Sequence, residues 1–214
     1  LPNTVKYKRI FIALLSPCLL GCSSNTISKE EQAVLAKDAV VAPKPQSEKW
    51  QTYVIKKGNH YAGNGFKMRL FKGDSLHLKL AFDESIKART QIPNNQKDWN
   101  KIIGFSDCGS THQQNSARLV WRYIFPYEAV EIGQYLYIDG ERNFASLGDV
   151  KIGDTATAAI YRNATQYGFM LNDTISYVPR PCNSSPMSYW LFPYFGGDET
   201  APQKVKIHLL QTYP

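Results

Sequence analysis

Four cysteines and four histidines are all that 214 residues contain, and no histidine–carboxylate cluster has zinc-like spacing. His60, His77 and His208 fall in separate segments. The sequence therefore gives no cofactor and no transition metal. Asp139 and Asp173 sit in turns, where short acids bond their own backbone, with calcium held by sandwich loops as the other reading. There is no Gly-x-Ser-x-Gly elbow and no phosphate loop, which sets aside two large groups of enzymes. Lys and Arg outnumber Asp and Glu by 25 to 18 for a net charge of +7. No basic run gathers that excess, so nucleic acid is not an expected partner. A mild positive bias favours uronates, sulfated glycans or lipid head groups instead. No internal repeat is visible, and no long helical pattern appears after residue 50.

The amino end carries a different signal. Lys6, Lys8 and Arg9 form a basic start, Ile10 to Leu20 an apolar run, and Leu19-Leu20-Gly21-Cys22 matches a bacterial lipobox. The run is well short of the ~20 residues that cross a bilayer. The chain starts at Leu1 rather than Met, which leaves the first residues of the signal open. Residues 1–21 read as a lipoprotein signal peptide and Cys22 as the lipidated residue. The expectation is a bacterial envelope protein held at the outer membrane by its N-terminal lipid. Loss of three basic residues with the signal takes the charge from +7 to +4. Residues 22–49 read as a tether. Ser28 and Glu31 resemble a capping box, and Pro43 and Pro45 end the short helix it would start.

From Trp50 the texture changes to short alternating runs. Candidate strands are Trp50–Ile55, Phe66–Phe71, Leu76–Phe82, Ile102–Phe105, Ala117–Tyr123, Val130–Ile138, Thr155–Tyr161, Tyr167–Leu171, Thr174–Val178 and Val205–Leu210. Turn signals at Lys72-Gly-Asp74, Asp139-Gly140, Ile152-Gly-Asp154 and Asn172-Asp173 separate many of them. The pattern predicts one all-β domain over residues 50–214, a sandwich or barrel.

Two of these strands carry reactive side chains on one face. In Ser116–Tyr123, Ala117, Leu119, Trp121 and Tyr123 alternate to one side, and Ser116, Arg118 and Arg122 to the other. In Val130–Ile138, the aliphatic residues take one face, and Glu131, Gly133, Tyr135 and Tyr137 the opposite one. If the strands are neighbours, they form a polar floor suited to an anionic, hydroxyl-rich ligand. The plainer alternative pairs Arg118 and Arg122 with Glu131 across the strands and leaves the tyrosines as sheet cover.

Lys101-Ile-Ile-Gly104, Ser116-Ala-Arg118, Trp121 and Tyr135-Leu-Tyr137 together resemble the active-site strands of jelly-roll polysaccharide lyases of the alginate and glucuronan type. The resemblance spans residues 101–137. It implies a single jelly-roll, concanavalin-like β-sandwich, with Lys101, Ser116, Arg118, Tyr135 and Tyr137 in catalytic positions and Gly104 in a glycine turn. From their own positions rather than the resemblance, Arg122 and Glu131 on the polar faces and His112 in the loop of residues 110–115 would join them in binding substrate; His112 is otherwise a second acid or base, or a solvated loop histidine. Residues 50–214 also resemble exported bacterial domains that share Gly104-Phe-Ser-Asp107 and Pro193-Tyr-Phe-Gly-Gly197, from which no activity carries over. Lyases of this type remove the proton α to a carboxylate. That chemistry needs the carboxylate neutralised, which Arg118 suits, and a base, which a tyrosine of lowered pKa among cations supplies.

The expected function is therefore binding of an acidic polysaccharide, with β-elimination as its stronger form. A structural or protein-interaction module of the envelope is the alternative. A glycosidase would need two carboxylates across the scissile bond, and Glu131 is the one acid that projects from the polar faces of these two strands. Cys108 and Cys182 remain after export as an even pair, which favours a disulfide over two free thiols. Closing so long a loop would stabilise the fold by about 4 kcal/mol. Tyr189-Trp-Leu-Phe-Pro-Tyr-Phe-Gly-Gly197 reads as core aromatics ahead of a glycine turn, or as a stacking platform for sugars.

Overall fold

Strict alternation produces the inner faces of the sandwich. In β2 (Ser75–Phe82), Leu76, Leu78, Leu80 and Phe82 are at most 1% exposed, while the residues between them stay partly exposed. In β4 (Ser116–Ile124), Ala117, Leu119, Trp121 and Tyr123 enter the same core. In β5 (Ala129–Ile138), Val130, Ile132 and Leu136 do so. These strands belong to a computed structural model that describes residues 49–63, 68–184 and 187–212. The lipobox with Cys22 and the tether up to residue 48 lie outside the described residues.

The remaining strands are β1 (Gln51–Ile55), β3 (Asn100–Ser106), β6 (Glu141–Lys151), β7 (Thr155–Arg162), β8 (Gln166–Leu171), β9 (Thr174–Pro179), β10 (Trp190–Leu191) and β11 (Val205–Thr212). They form two antiparallel sheets, in the orders β1-β11-β2-β7-β8-β9 and β10-β3-β4-β5-β6. Non-sequential neighbours such as β11 with β2, and β10 with β3, make the jelly-roll crossovers. Two short 3-10 turns, Glu84–Ile86 and Pro93–Lys97, are the helical elements among the described residues.

Asp139-Gly140 forms the two-residue hairpin between β5 and β6, with φ of 51° and 87°. That left-handed pair matches the twist of the flanking strands. The strand it introduces, β6, is absent from the sequence reading. It is an edge strand with most of its side chains exposed, and a register shift between Ile132 and Gly133 of its partner breaks the alternation. Phe66–Phe71 gives no strand among its described residues: Leu70 makes one isolated bridge to Tyr189. Gly104 is not in a turn. It lies inside β3, opposite Arg118 of β4.

Candidate active site

The face of the five-stranded sheet turned away from the core carries the site. Register sets its rows. One runs Gly104, Arg118, Tyr135, Phe144 across β3 to β6, and the next runs Ser106, Ser116, Tyr137, Arg142. A cleft of about 490 Å³ opens over them. Lys101, His112, Ser116, Arg118, Tyr135 and Tyr137 all line it. Six residues read from three separate stretches of sequence thus meet in one place.

Arg118 is the cation at the bottom. It is 8% exposed, its Nη2 donates to the Phe192 carbonyl at 2.9 Å, and its buried Nε has no hydrogen-bond partner. No carboxylate pairs with it among the described residues, and the groups that favour its charge are the tyrosines 135, 194, 61 and 137. Burial lowers its pKa to about 10, so it stays charged at neutral pH. A buried cation without an anion carries a desolvation cost of several kcal/mol. An anion entering the cleft would relieve it.

Lys101 reaches over the floor from β3. Its Nζ donates to the Gly196 carbonyl at 3.0 Å and stands 5.2 Å and 5.5 Å from the ring centres of Tyr135 and Tyr194. Burial, then the nearby Arg118 charge, lower its pKa to about 8. Tyr135 goes the other way from expectation. Burial and the neighbouring Tyr137 hydroxyl raise its pKa to about 12, outweighing the opposing pull of Arg142. Tyr135 is thus a proton donor rather than an activated base. Desolvation dominates because the ring is packed against Trp99, Val120 and Tyr137.

His112 hangs at one side of the cleft on the loop before β4. Its backbone N–H donates to the Tyr189 hydroxyl at 2.9 Å, and its Nδ1 lies 3.1 Å from the same oxygen. Burial and the Arg118 charge push its pKa below the ordinary histidine value, which favours the neutral ring. Ser116 is fully buried and its hydroxyl donates to the His112 carbonyl at 2.7 Å. In this arrangement Ser116 holds the histidine loop. Cys108 and Cys182 form a disulfide at the start of that loop.

Beside the disulfide lies a buried ion cluster that the sequence did not suggest. Asp107, fully buried, accepts from Arg162 Nη1 at 2.9 Å, from Arg180 Nε at 2.6 Å and from the Tyr167 hydroxyl at 2.8 Å. The three partners come from β7, β8 and the segment just after β9, so nothing local in the sequence announces them. Asp107, Cys108 and Cys182 are close enough to suggest a metal site, but the two sulfurs are bonded to each other.

Arg122 and Glu131 are placed elsewhere on the face. They pair across β4 and β5, as the plainer reading had it, and the Arg122 guanidinium stacks 4.4 Å from the Trp99 ring. Trp99 covers Gly133 so closely that a β-carbon there would lie 2.9 Å from its ring. These residues close the floor beyond Tyr135 and do not line the cleft.

The structure adds residues that the sequence reading missed. Tyr61 and Tyr194, edge to face at 5.0 Å, form one wall. Tyr194 belongs to the aromatic run, which divides its residues: Phe195 enters the core, Leu191 and Tyr194 face the cleft, and Trp190 packs in the core while also lining the cleft. Arg142 lines the opposite side from β6. The turn signal at Asp139-Gly140, read as the start of a returning strand, would have pointed to it. Asp198 is the single carboxylate among the described residues of the lining, so the pair that a glycosidase needs is not assembled there.

Comparison by sequence matches no family model and no curated protein. Comparison of structures finds alginate lyase AlyC3 at a TM-score of 0.52 and 10% identity, over 79% of this chain and 76% of that one. The fold is a polysaccharide-lyase-like jelly roll. Two further solved chains align at a TM-score of 0.47. The polysaccharide lyase family 18 protein aly-SJ02 does so at 8% identity, over 81% of this chain and 90% of that one. A GH16 protein of the Bacteroides ovatus mixed-linkage glucan locus, in complex with a product, does so at 10% identity, over 78% and 81%.

Proposed function

We propose that the cleft binds an acidic polysaccharide, a uronan, through its carboxylates. One observation carries the reading: Arg118 is a buried guanidinium at the cleft floor with no acidic partner among the described residues. A carboxylate matches the planar fork of an arginine, and a charge-assisted bond in so dry a site is worth more than one at the surface. The aromatic wall of Tyr61 and Tyr194 suits the flat faces of sugar rings. The alginate lyase shares the fold alone; the acidic ligand is read from Arg118.

A second reading, cleavage by β-elimination, is favoured by the protonation of two groups in the same cleft. Tyr135 keeps its proton and His112 is biased to lose its own. A neutral imidazole and a protonated phenol are the states a base and an acid need at neutral pH. Arg118 would neutralise the carboxylate while the α proton leaves. We further propose that the domain works at the bacterial envelope, tethered by lipid on Cys22.

Incubation of the soluble domain with alginate, glucuronan and polygalacturonate tests both readings, through affinity and the ultraviolet absorbance of unsaturated ends. Arg118→Ala is expected to lose binding. Tyr135→Phe is expected to lose turnover while largely keeping the polymer bound. Failure of the wild type to bind any of the three would sink the sugar reading and leave an interaction module of the envelope. Normal acyl labelling of Cys22→Ser would remove the lipid anchor.

A further inference from the structure

We propose that β6 carries a second uronate subsite, with Phe144 as the stacking surface and Arg142 as the carboxylate clamp. The inference rests on the acidic-polysaccharide reading and goes further, because it fixes how the charges of the ligand are distributed.

Phe144 is an apolar ring without a core role. It is 52% exposed, whereas Leu147 and Val150 of the same strand are buried in the core. Register puts Phe144 in the row of Arg118 and Tyr135. Its ring lies nearly parallel to that of Tyr135, 15° between planes and 6.5 Å between centres, and Trp99 stands 6.4 Å away. The aromatic surface therefore continues from the cleft floor to the sheet edge. Such a surface, open on its outer side, accepts the apolar face of a sugar ring.

Arg142 supplies the charge. It neighbours Tyr137 across the strand pair, its guanidinium is 5.9 Å from the Phe144 ring centre, and it lines the cleft. It is exposed and makes no ion pair among the described residues. The bland role for an edge-strand cation is to discourage pairing with another sheet. That role asks nothing of the ring beside it and does not require the side chain to turn into a cleft.

Arg118 and Arg142 are carried by strands two apart, whose backbones lie roughly 10 Å from each other across the sheet. With Arg118 buried at the floor and Arg142 exposed at the sheet edge, the subsite calls for a ligand that can offer each its own carboxylate. The ligand that can is a polyuronate with acidic groups on closely successive sugars, rather than a glycan with isolated acids among neutral residues.

The test compares monomeric with tetrameric mannuronate and glucuronate by titration calorimetry. The wild type is expected to prefer the tetramer of at least one sugar. Arg142→Gln and Phe144→Ala should each reduce that preference by about fivefold, the scale of one partly exposed charge-assisted or stacking contact. Arg142→Lys should restore part of it, and Phe144→Tyr most of it. The Arg142 loss should shrink in high salt, the Phe144 loss should not. If Arg118→Ala abolishes binding but neither β6 variant changes the preference, the subsite is wrong and the acidic-polysaccharide reading stands. If the wild type binds none of the four probes or a longer uronan, the broader reading fails and the subsite with it.

Discussion

Gly104 and Arg118 face each other across β3 and β4 at a distance that admits no side chain on the glycine. A β-carbon at 104 would stand 2.1 Å from the Ala117 carbonyl oxygen and 2.7 Å from the Arg118 Cα. The glycine is what lets the backbone of β3 pass beneath the guanidinium stem.

Gly104→Ala should therefore cost about 3 kcal/mol or more, because the obstacle is backbone and cannot rotate away. Chemical denaturation measures it. A loss below about 0.5 kcal/mol would mean that the strands separate freely at this point. In folded variant protein, affinity for acidic glycan should fall as well, since Arg118 must shift.

Asp107→Asn should be among the most damaging conservative changes in the chain. It keeps the side-chain shape but removes the anion that faces Arg162 and Arg180 in a dry setting. Breaking one partner of a buried ion cluster costs about 3–5 kcal/mol. The melting temperature reads it, and a shift of a degree or two would show that water already reaches the cluster.

Lys101 gives the site a pH dependence with a definite sign. Burial holds it at about 8 against the ordinary 10.5. An anionic ligand beside the ammonium raises that value, so binding takes up a proton above about pH 8. Affinity is therefore level below about pH 8 and falls as pH rises through the window. Lys101→Arg should remove that step. For folding the sign is opposite: the buried charge costs stability below about pH 8, and the cost is relieved as pH rises towards 10.5. A wild-type affinity that stays flat from pH 7 to 10 would show that Lys101 does not meet the ligand's charge.

Removing the Cys108–Cys182 bond by a double serine change should lower stability by about 2–4 kcal/mol. The loss should also loosen the His112 loop, which begins at that bond. Amide exchange at residues 110–115 is expected to rise well above that of β2. Equal protection in both forms would mean that Ser116 and Tyr189 alone hold the loop.

The sequence by itself determined the sandwich and most of the floor. Period-two alternation in Leu76–Phe82 and in Ala117–Tyr123 is a local property, because each strand must turn one face to the core. The same alternation forced Ser116, Arg118, Tyr135 and Tyr137 onto the other face. Where those faces met, and which cations stayed unpaired, was decided only by tertiary structure. Arg118 and Arg122 look alike in the sequence, two turns of the same alternation. Register gives Arg122 a carboxylate opposite in Glu131, while Arg118 meets Tyr135. The raised pKa of Tyr135 likewise depends on burial against Trp99 and Val120, residues brought from two other places in the chain, with Tyr137 beside it on its own strand. Edge strand β6 was illegible because residues 141–146 are exposed on both faces, which removes the demand for alternation, so Arg142 and Phe144 had no periodic signal to carry them. The Asp107 cluster was hidden for a related reason: its partners are 55 and 73 residues away. Charges that neutralise one another in the interior leave no local pattern, since only the folded chain sets the distance between them.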